Sequence, residues 1–199
     1  FVVPLVGIVL GVLSLARLAR RGGELTGRKA ALIGLLLSLF FGSISVGHWA
    51  TYRHLLQVEA RKVGMEWFER MTRRQPQLAY ELALNPDVRQ PSSEDAWAPH
   101  RRDPKLYEEL KKYLSEKLPR VLLALGERAT VRYYATETID STRGDEVVVM
   151  LFVVTFDGDD GKKSFLVRLG AARVKTEMEG RLPWRIFRIE GGVRPGLEE

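Results

Sequence analysis

Two long apolar runs in the first fifty residues constrain this chain more than any other feature. The first extends from Phe1 to Ala16 and the second from Ala30 to Ala50, and neither contains Asp, Glu, Lys or Arg. A helix needs about 20 apolar residues to cross the hydrocarbon core of a bilayer. The second run has this length, and the first approaches it when Leu18 and Ala19 are added. The sequence therefore predicts a transmembrane helical hairpin over residues 1–50.

A basic segment separates the two runs. Its cations are Arg17, Arg20, Arg21, Arg28 and Lys29, opposed by Glu24. Cytoplasmic loops carry such an excess of Lys and Arg, which places this turn in the cytoplasm and the rest of the chain outside it. A secretory signal peptide is the competing interpretation of the first run, but there the positive charges precede the apolar residues.

Small residues recur at helical spacing in both runs, where they predict close packing of the two helices. They are Gly7, Gly11, Gly34, Ser38 and Gly42. The alternative is that glycine is simply frequent in membrane spans.

The segments Gly7–Gly11 and Arg20–Gly34 together resemble a bacterial family of unknown function with paired small-residue-rich transmembrane helices. The resemblance covers residues 1–47 only. It implies a two-pass anchor in the bacterial cell membrane and brings no catalytic residue. Because the chain begins at Phe1 rather than Met, we also expect residues upstream of it.

Charge and cysteine content exclude several kinds of function. The formal charge is +6, but residues after 50 hold 26 basic and 24 acidic side chains and are nearly neutral. Phosphate backbones require clustered cations, so we do not expect nucleic acid as a partner. The absence of cysteine excludes thiolate zinc sites, disulfides and cysteine nucleophiles. We expect no cofactor.

Residues 51–190 predict a soluble domain that begins with helices. An amphipathic helix starts near Leu56, a second spans Pro76–Leu84, and a third begins at Asp103-Pro104 and is interrupted at Pro119. The segment Asn85–Asp103 is predicted to be a surface loop.

Four strands follow the helices. They lie near Ala129–Thr136, Val147–Phe156, Phe165–Leu169 and Leu182–Ile189, and the second is apolar on both faces. Gly170 and a phase shift in the fourth strand each indicate a bulge. The tail 191–199 is predicted to be flexible.

The fold class is thus α+β, with N-terminal helices packed on a curved four-stranded antiparallel sheet. This element order is similar to the cystatin-like and nuclear-transport-factor-like folds. Membership of such a fold would imply a pocket between the helices and the sheet, but a fold alone does not choose a function.

Reactive motifs are absent from the sequence, so the chain is more consistent with a binding protein than with an enzyme. The acidic turn Asp157–Gly161 lacks EF-hand spacing and predicts a hairpin turn. His48 and His54 do not share a helix face, and His100 is expected to be solvated, so we predict no metal site. Weak ligand-binding candidates in a cone-shaped pocket are Trp67, Arg132, Tyr133, Glu137 and Trp184.

Three functions remain open. The first is a membrane-anchored, non-enzymatic domain that contacts a protein or cell-envelope component outside the cytoplasm. The second is a small-molecule-binding or enzymatic cone-shaped domain. The third is a structural homodimer formed through the apolar strand Val147–Phe156.

Overall fold

A computed structural model describes residues 2–20, 28–89, 97–141, 146–159, 161–174 and 183–192. The chain divides into two compact units, Phe1–Leu55 and Leu56–Glu199. The helices are α1 (Val2–Arg20), α2 (Arg28–Thr72), α3 (Pro76–Glu81), α4 (Ala98–Arg102), α5 (Pro104–Ser115) and α6 (Lys117–Leu125). The strands are β1 (Thr130–Asp140), β2 (Glu146–Gly158), β3 (Gly161–Arg173) and β4 (Trp184–Gly191). The predicted α+β class is confirmed.

Helix α2 contains both the second apolar run and the amphipathic helix that the sequence predicts from Leu56. No proline interrupts residues 50–56, so nothing in the backbone ends the helix between them. Among the described residues, α2 is the one helix long and apolar enough to cross a membrane. The structure therefore shows one candidate span near the N-terminus rather than the predicted pair.

Helices α1 and α2 contact each other within the first unit. A Cβ added at Gly7 would collide with the side chain of Ser38, and one added at Gly11 would lie 3.2 Å from the Cβ of Leu35. Gly42 is half-buried, one further turn along the same stripe of α2. Gly34 lies beside this stripe, is exposed and would meet nothing within 4 Å, so it takes no part in the contact.

The basic turn is only partly described. Arg17 and Lys29 are exposed. Arg21 lies outside the described residues, and the side chains of Arg20 and Arg28 are likewise outside them. The structure therefore does not test the shape of this turn.

The four strands form one antiparallel sheet in the order β1-β2-β3-β4, which confirms the predicted meander. Arg188 pairs with Gly170 whereas Ile186 pairs with Ala171, so Phe187 is an extra residue in β4. The bulge predicted in the fourth strand is therefore confirmed, and it lies opposite Gly170, whereas β3 pairs with β2 through Gly170 without a register shift. Strand β1 has two further register shifts, between Tyr133 and Ala135 and between Thr136 and Thr138.

The helices cover one face of the sheet. Alternate residues of β2 and β3 point towards them, because side chains alternate across a strand. The rings of Phe68 on α2 and Phe152 on β2 lie 5.0 Å apart. Gly64 allows this approach, since a Cβ there would be 2.8 Å from the Phe152 ring.

The segment predicted as a surface loop contains two short helical elements. A 3₁₀ turn spans Pro86–Val88, and α4 lies just before the cap of α5. Residues 90–96 are outside the described ranges. Asp103 caps α5 as predicted, accepting a hydrogen bond from the backbone N–H of Lys105 at 2.9 Å. Of the predicted flexible tail, residues 193–199 are not described.

Candidate ligand-binding site

Trp67 is a core residue rather than part of an accessible pocket. It is 0% exposed, and its indole N–H donates to the hydroxyl of Tyr113 at 2.7 Å. Burial raises the pKa of Tyr113 well above its usual range, so this hydroxyl stays protonated. The Tyr80 ring packs against Tyr113 at 5.2 Å, and the Tyr80 hydroxyl donates to Glu109 at 3.2 Å. Burial, together with Glu109, raises the pKa of Tyr80 to about 12.

Trp184, the first residue of β4, is also a core residue. It is 1% exposed, and its indole N–H donates to Glu59 at 3.0 Å. Its backbone carbonyl accepts a hydrogen bond from the guanidinium of Arg89. Both indoles thus have their polar atom paired, as buried tryptophans usually do.

Tyr133, a residue of β1, lies at the edge of the core and faces α2. Its hydroxyl accepts a hydrogen bond from Gln57 at 2.7 Å and lies 2.8 Å from the Thr136 hydroxyl. The guanidinium of Arg61 stacks over its ring, 4.6 Å from the centroid. These contacts fix the ring in place on the helix-facing side of the sheet.

Glu137 forms an ion pair on the opposite face of the sheet. Arg168 donates to its two carboxylate oxygens at 2.6 and 2.9 Å, and these side chains are only 14% and 19% exposed. Leu151 is paired with Arg168 in the β2–β3 ladder and is 3% exposed. The ion pair thus lies next to Leu151, on the face of β2 that the sequence predicted to be buried without indicating what would cover it.

Arg132 is the predicted candidate that lies in an accessible groove. The groove has a volume of about 490 Å³ and lies where the first residues of β1 pair with the last residues of β2. Tyr133 also lines it, so two of the five predicted candidates come together here. The others are Trp67, Trp184 and Glu137, and they lie elsewhere.

His100 is buried, so the prediction of a solvated imidazole is wrong. It is 2% exposed, within α4, and lies against the rings of Tyr80 and Trp97 at centroid distances of 6.3 and 6.1 Å. Burial lowers its pKa, and a hydrogen bond to the backbone of Leu106 opposes that shift. The polar residues around it in the sequence concealed the fact that α4 turns this side chain inwards.

The acidic turn after β2 joins two paired strands, as predicted. Gly158 and Gly161 are ladder partners, and Gly161 has φ of 107°, a conformation that favours glycine. Within the described ranges, His, Asp and Glu side chains form no group of three or more that could hold a metal ion.

Sequence reasoning missed the cations that share the groove with Arg132. Arg128 and Lys162 also line it, and Arg128 lines a second groove of about 420 Å³ together with Arg73 and Arg74. These residues come from the end of α2, the turn before β1 and the start of β3. No spacing rule links positions so distant in the sequence.

Comparison with protein-family models found no match, and comparisons with curated proteins and with solved structures found none either. The two resemblances drawn from the sequence therefore stay predictions.

Proposed function

We propose that this chain is a two-pass membrane-anchored binding domain whose α+β unit contacts a protein or cell-envelope component outside the cytoplasm. The observation that carries the proposal is the exposed apolar surface of the first unit. From Val6 to Trp49 the large apolar side chains of α1 and α2 are mostly about half exposed. Soluble proteins rarely expose a continuous apolar surface of this length, whereas a bilayer would cover it.

The contact between α1 and α2 supports two spans rather than one. Small residues let helix backbones approach closely in lipid, where packing rather than the hydrophobic effect drives association. Gly7 and Gly11 supply this approach in α1, against Ser38 and Leu35 of α2. With α1 in the bilayer, the basic residues between the helices would lie in the cytoplasm.

The second unit supports binding rather than catalysis. Its central aromatic residues are occupied by packing and by paired hydrogen bonds, as described for Trp67 and Trp184. Its accessible grooves are lined by exposed cations and hydroxyls. Such surfaces recognise charged partners and do not by themselves supply a nucleophile with an adjacent base.

Single-cysteine labelling tests this topology, because the chain has no cysteine of its own. Lys111→Cys places a thiol on an exposed position of α5, and Lys29→Cys places one next to the basic turn. In bacterial spheroplasts, a membrane-impermeant maleimide should label the Lys111→Cys variant directly and the Lys29→Cys variant only after permeabilisation. The reverse pattern would overturn the orientation, and recovery of the chain in the soluble fraction would overturn the anchor.

A further inference from the structure

Two grooves in the second unit share Arg128, and each has three cations in its lining. Their volumes are about 490 and 420 Å³. We call this surface the basic cleft and define it by Arg73, Arg74, Arg128, Arg132 and Lys162. The acidic residues in the lining are Glu127 and Asp157.

Most of these cations are not engaged elsewhere. Within the part of the chain that the structure describes, the side chains of Arg74, Arg132 and Lys162 form no hydrogen bond or ion pair. Arg128 donates to the carbonyl of Ala124 at 3.4 Å, and in the described ranges it has no other side-chain hydrogen bond. Arg73 pairs with Glu69 at 2.8 Å on an exposed helix surface, where such pairs are weak.

The surplus of cations is local. Residues 56–199 contain 25 basic and 24 acidic side chains, so the unit as a whole is nearly neutral. The basic cleft nevertheless gathers five cations around two acids. A concave surface with a net positive charge concentrates negatively charged ligands.

Hydroxyl groups add hydrogen-bond donors to the larger groove. Thr130 lines it, and Tyr134, beside the register shift of β1, is 60% exposed, whereas the hydroxyl of Thr155 lies 2.9 Å from that of Ser164 and is shared with it. Arginine forks and hydroxyls together suit oxyanions that present several acceptor atoms.

Arg74 lies just after the end of α2, where helices commonly end in a left-handed residue. It has φ of 59°, a left-handed conformation that disfavours residues other than glycine. Its Nε lies 3.6 Å from the position a Cβ would occupy at Gly126, beside the smaller groove. The fold thus holds an arginine in the cleft at a position where glycine would be less strained.

From these observations we propose that the basic cleft binds a ligand that carries several phosphate groups along a chain. The cleft is too large for one phosphate and has the size of sites that hold larger ligands. A chain of phosphate groups carries several negative charges and many acceptor oxygens along its length, which fits donors that approach from several sides. The inference deepens the proposed function, on which it rests for the location of the ligand in the cell envelope.

The test uses the full chain in phosphatidylcholine nanodiscs, titrated with inorganic tripolyphosphate at low salt. The site variant is Arg128→Gln, Arg132→Gln and Lys162→Gln combined. The matched control, Lys105→Gln, Lys112→Gln and Lys117→Gln combined, removes three exposed cations from α5 and α6. We expect the site variant to bind about tenfold more weakly, because charge-assisted hydrogen bonds are lost, and the control to change affinity by less than about twofold.

Equal weakening in both variants would overturn the proposal, as would the absence of binding by the parent chain. Citrate binding as tight as tripolyphosphate would overturn the choice of phosphate, and tighter binding of a short DNA duplex with the same dependence on the site variant would replace it with nucleic acid. Matched thermal unfolding of the two variants shows that both are folded.

A second arm identifies the source of the phosphate. If lipid headgroups reach the cleft, replacing phosphatidylcholine with phosphatidylglycerol will weaken tripolyphosphate binding by the parent chain more than residual binding by the site variant, which measures the repulsion of the anion by the charged bilayer. Equal weakening of both would instead assign the cleft to a soluble or polymeric ligand, and both results support a phosphate site. Failure of the cysteine-labelling test would remove the membrane anchor and leave this binding result intact, so the two proposals can fail separately.

Discussion

Replacing Arg74 with glycine should stabilise the second unit and weaken its anion binding at the same time. Arg74 ends α2 in a Schellman motif, in which the N–H of Gln75 donates to the carbonyl of Arg70 at 2.9 Å and the N–H of Arg74 to that of Met71 at 3.2 Å. This motif requires a left-handed residue at position 74, and glycine is the residue most often found there.

The size of the effect follows from two opposing terms. Left-handed backbone costs a residue other than glycine about 1–2 kcal/mol. Glycine gains about 0.5–1 kcal/mol more entropy in the unfolded state, which reduces the benefit. The net stabilisation of Arg74→Gly is therefore about 0.5–1 kcal/mol, which raises Tm by about 1–4 °C for a unit of this size.

Thermal unfolding monitored by tryptophan fluorescence will measure this effect, since Trp67 and Trp184 are fully buried in the core. Arg74→Ala is the informative comparison because it removes the side chain and keeps the strained backbone. Both variants should bind tripolyphosphate about two- to fivefold more weakly, the effect of one exposed charge pair. Only Arg74→Gly should raise Tm.

Gly126 provides a control of opposite sign. Its φ of 55° and ψ of −138° lie in a region open essentially to glycine, so Gly126→Ala should destabilise the unit by about 1–3 kcal/mol. A lower Tm in Arg74→Gly, or an unchanged Tm in Gly126→Ala, would refute the reasoning from backbone strain.

Three further predictions follow from the core and the first unit. Gly64→Ala should lower the free energy of unfolding by about 1–2 kcal/mol, because overpacking against the Phe152 ring outweighs the better helix propensity of alanine; urea unfolding measures this. Because burial lowers the pKa of His100, the unfolded chain binds more protons near pH 6.5, so stability should fall as the pH drops from about 7.5 to 5.5, and His100→Phe should flatten this profile. The pair Gly11→Cys and Leu35→Cys should form an intramolecular disulfide on mild oxidation, visible by mass, because the Cβ positions are 3.2 Å apart.

Each of these predictions has its own control. Gly64→Ala combined with Phe152→Leu should recover part of the lost stability, and additive losses would argue against the contact. Burial raises the pKa of Glu81, so its contribution to stability falls as the pH rises above about 4.5, which is opposite to the contribution of His100. Because Glu81 is present in both proteins, the difference between the parent and His100→Phe isolates the contribution of the imidazole. Leu10→Cys with Leu36→Cys, both exposed, should not cross-link.

The fold was largely predictable because its signals are local. Alternation in β1, the turn after Asp157 and the bulge in β4 can each be recognised within about ten residues. Helix α2 continues past Ala50, where the apolar run ends. The change from an apolar to an amphipathic pattern changes what the side chains of α2 contact, but it does not interrupt the backbone hydrogen bonds of the helix. Helix α4 escaped prediction because it is five residues long.

The candidate site was much less predictable. Trp67 and Trp184 were candidates because large aromatic side chains often line ligand pockets. Side chains of this size also fill hydrophobic cores, and in the structure both residues are buried in the core. The sequence identified Arg132 as a polar residue of β1, but it did not identify the other cations that lie near Arg132 in the cleft. Its partners in the cleft come from three other elements, which only the folded topology brings together.

The charge of this chain shows why summed charge conceals such a site. The five basic residues between the apolar runs lie close enough together to be recognised in the sequence, and they account for most of the net charge of +6. The total weighs every acid of the unit equally, whatever its distance from the basic cleft. Salt screens charges that lie more than about 10 Å apart, so distant acids oppose the field of the cleft less than the count suggests. A near-neutral total therefore excludes a uniformly basic surface but not a concentrated one, and that difference makes phosphate binding by this unit compatible with its composition.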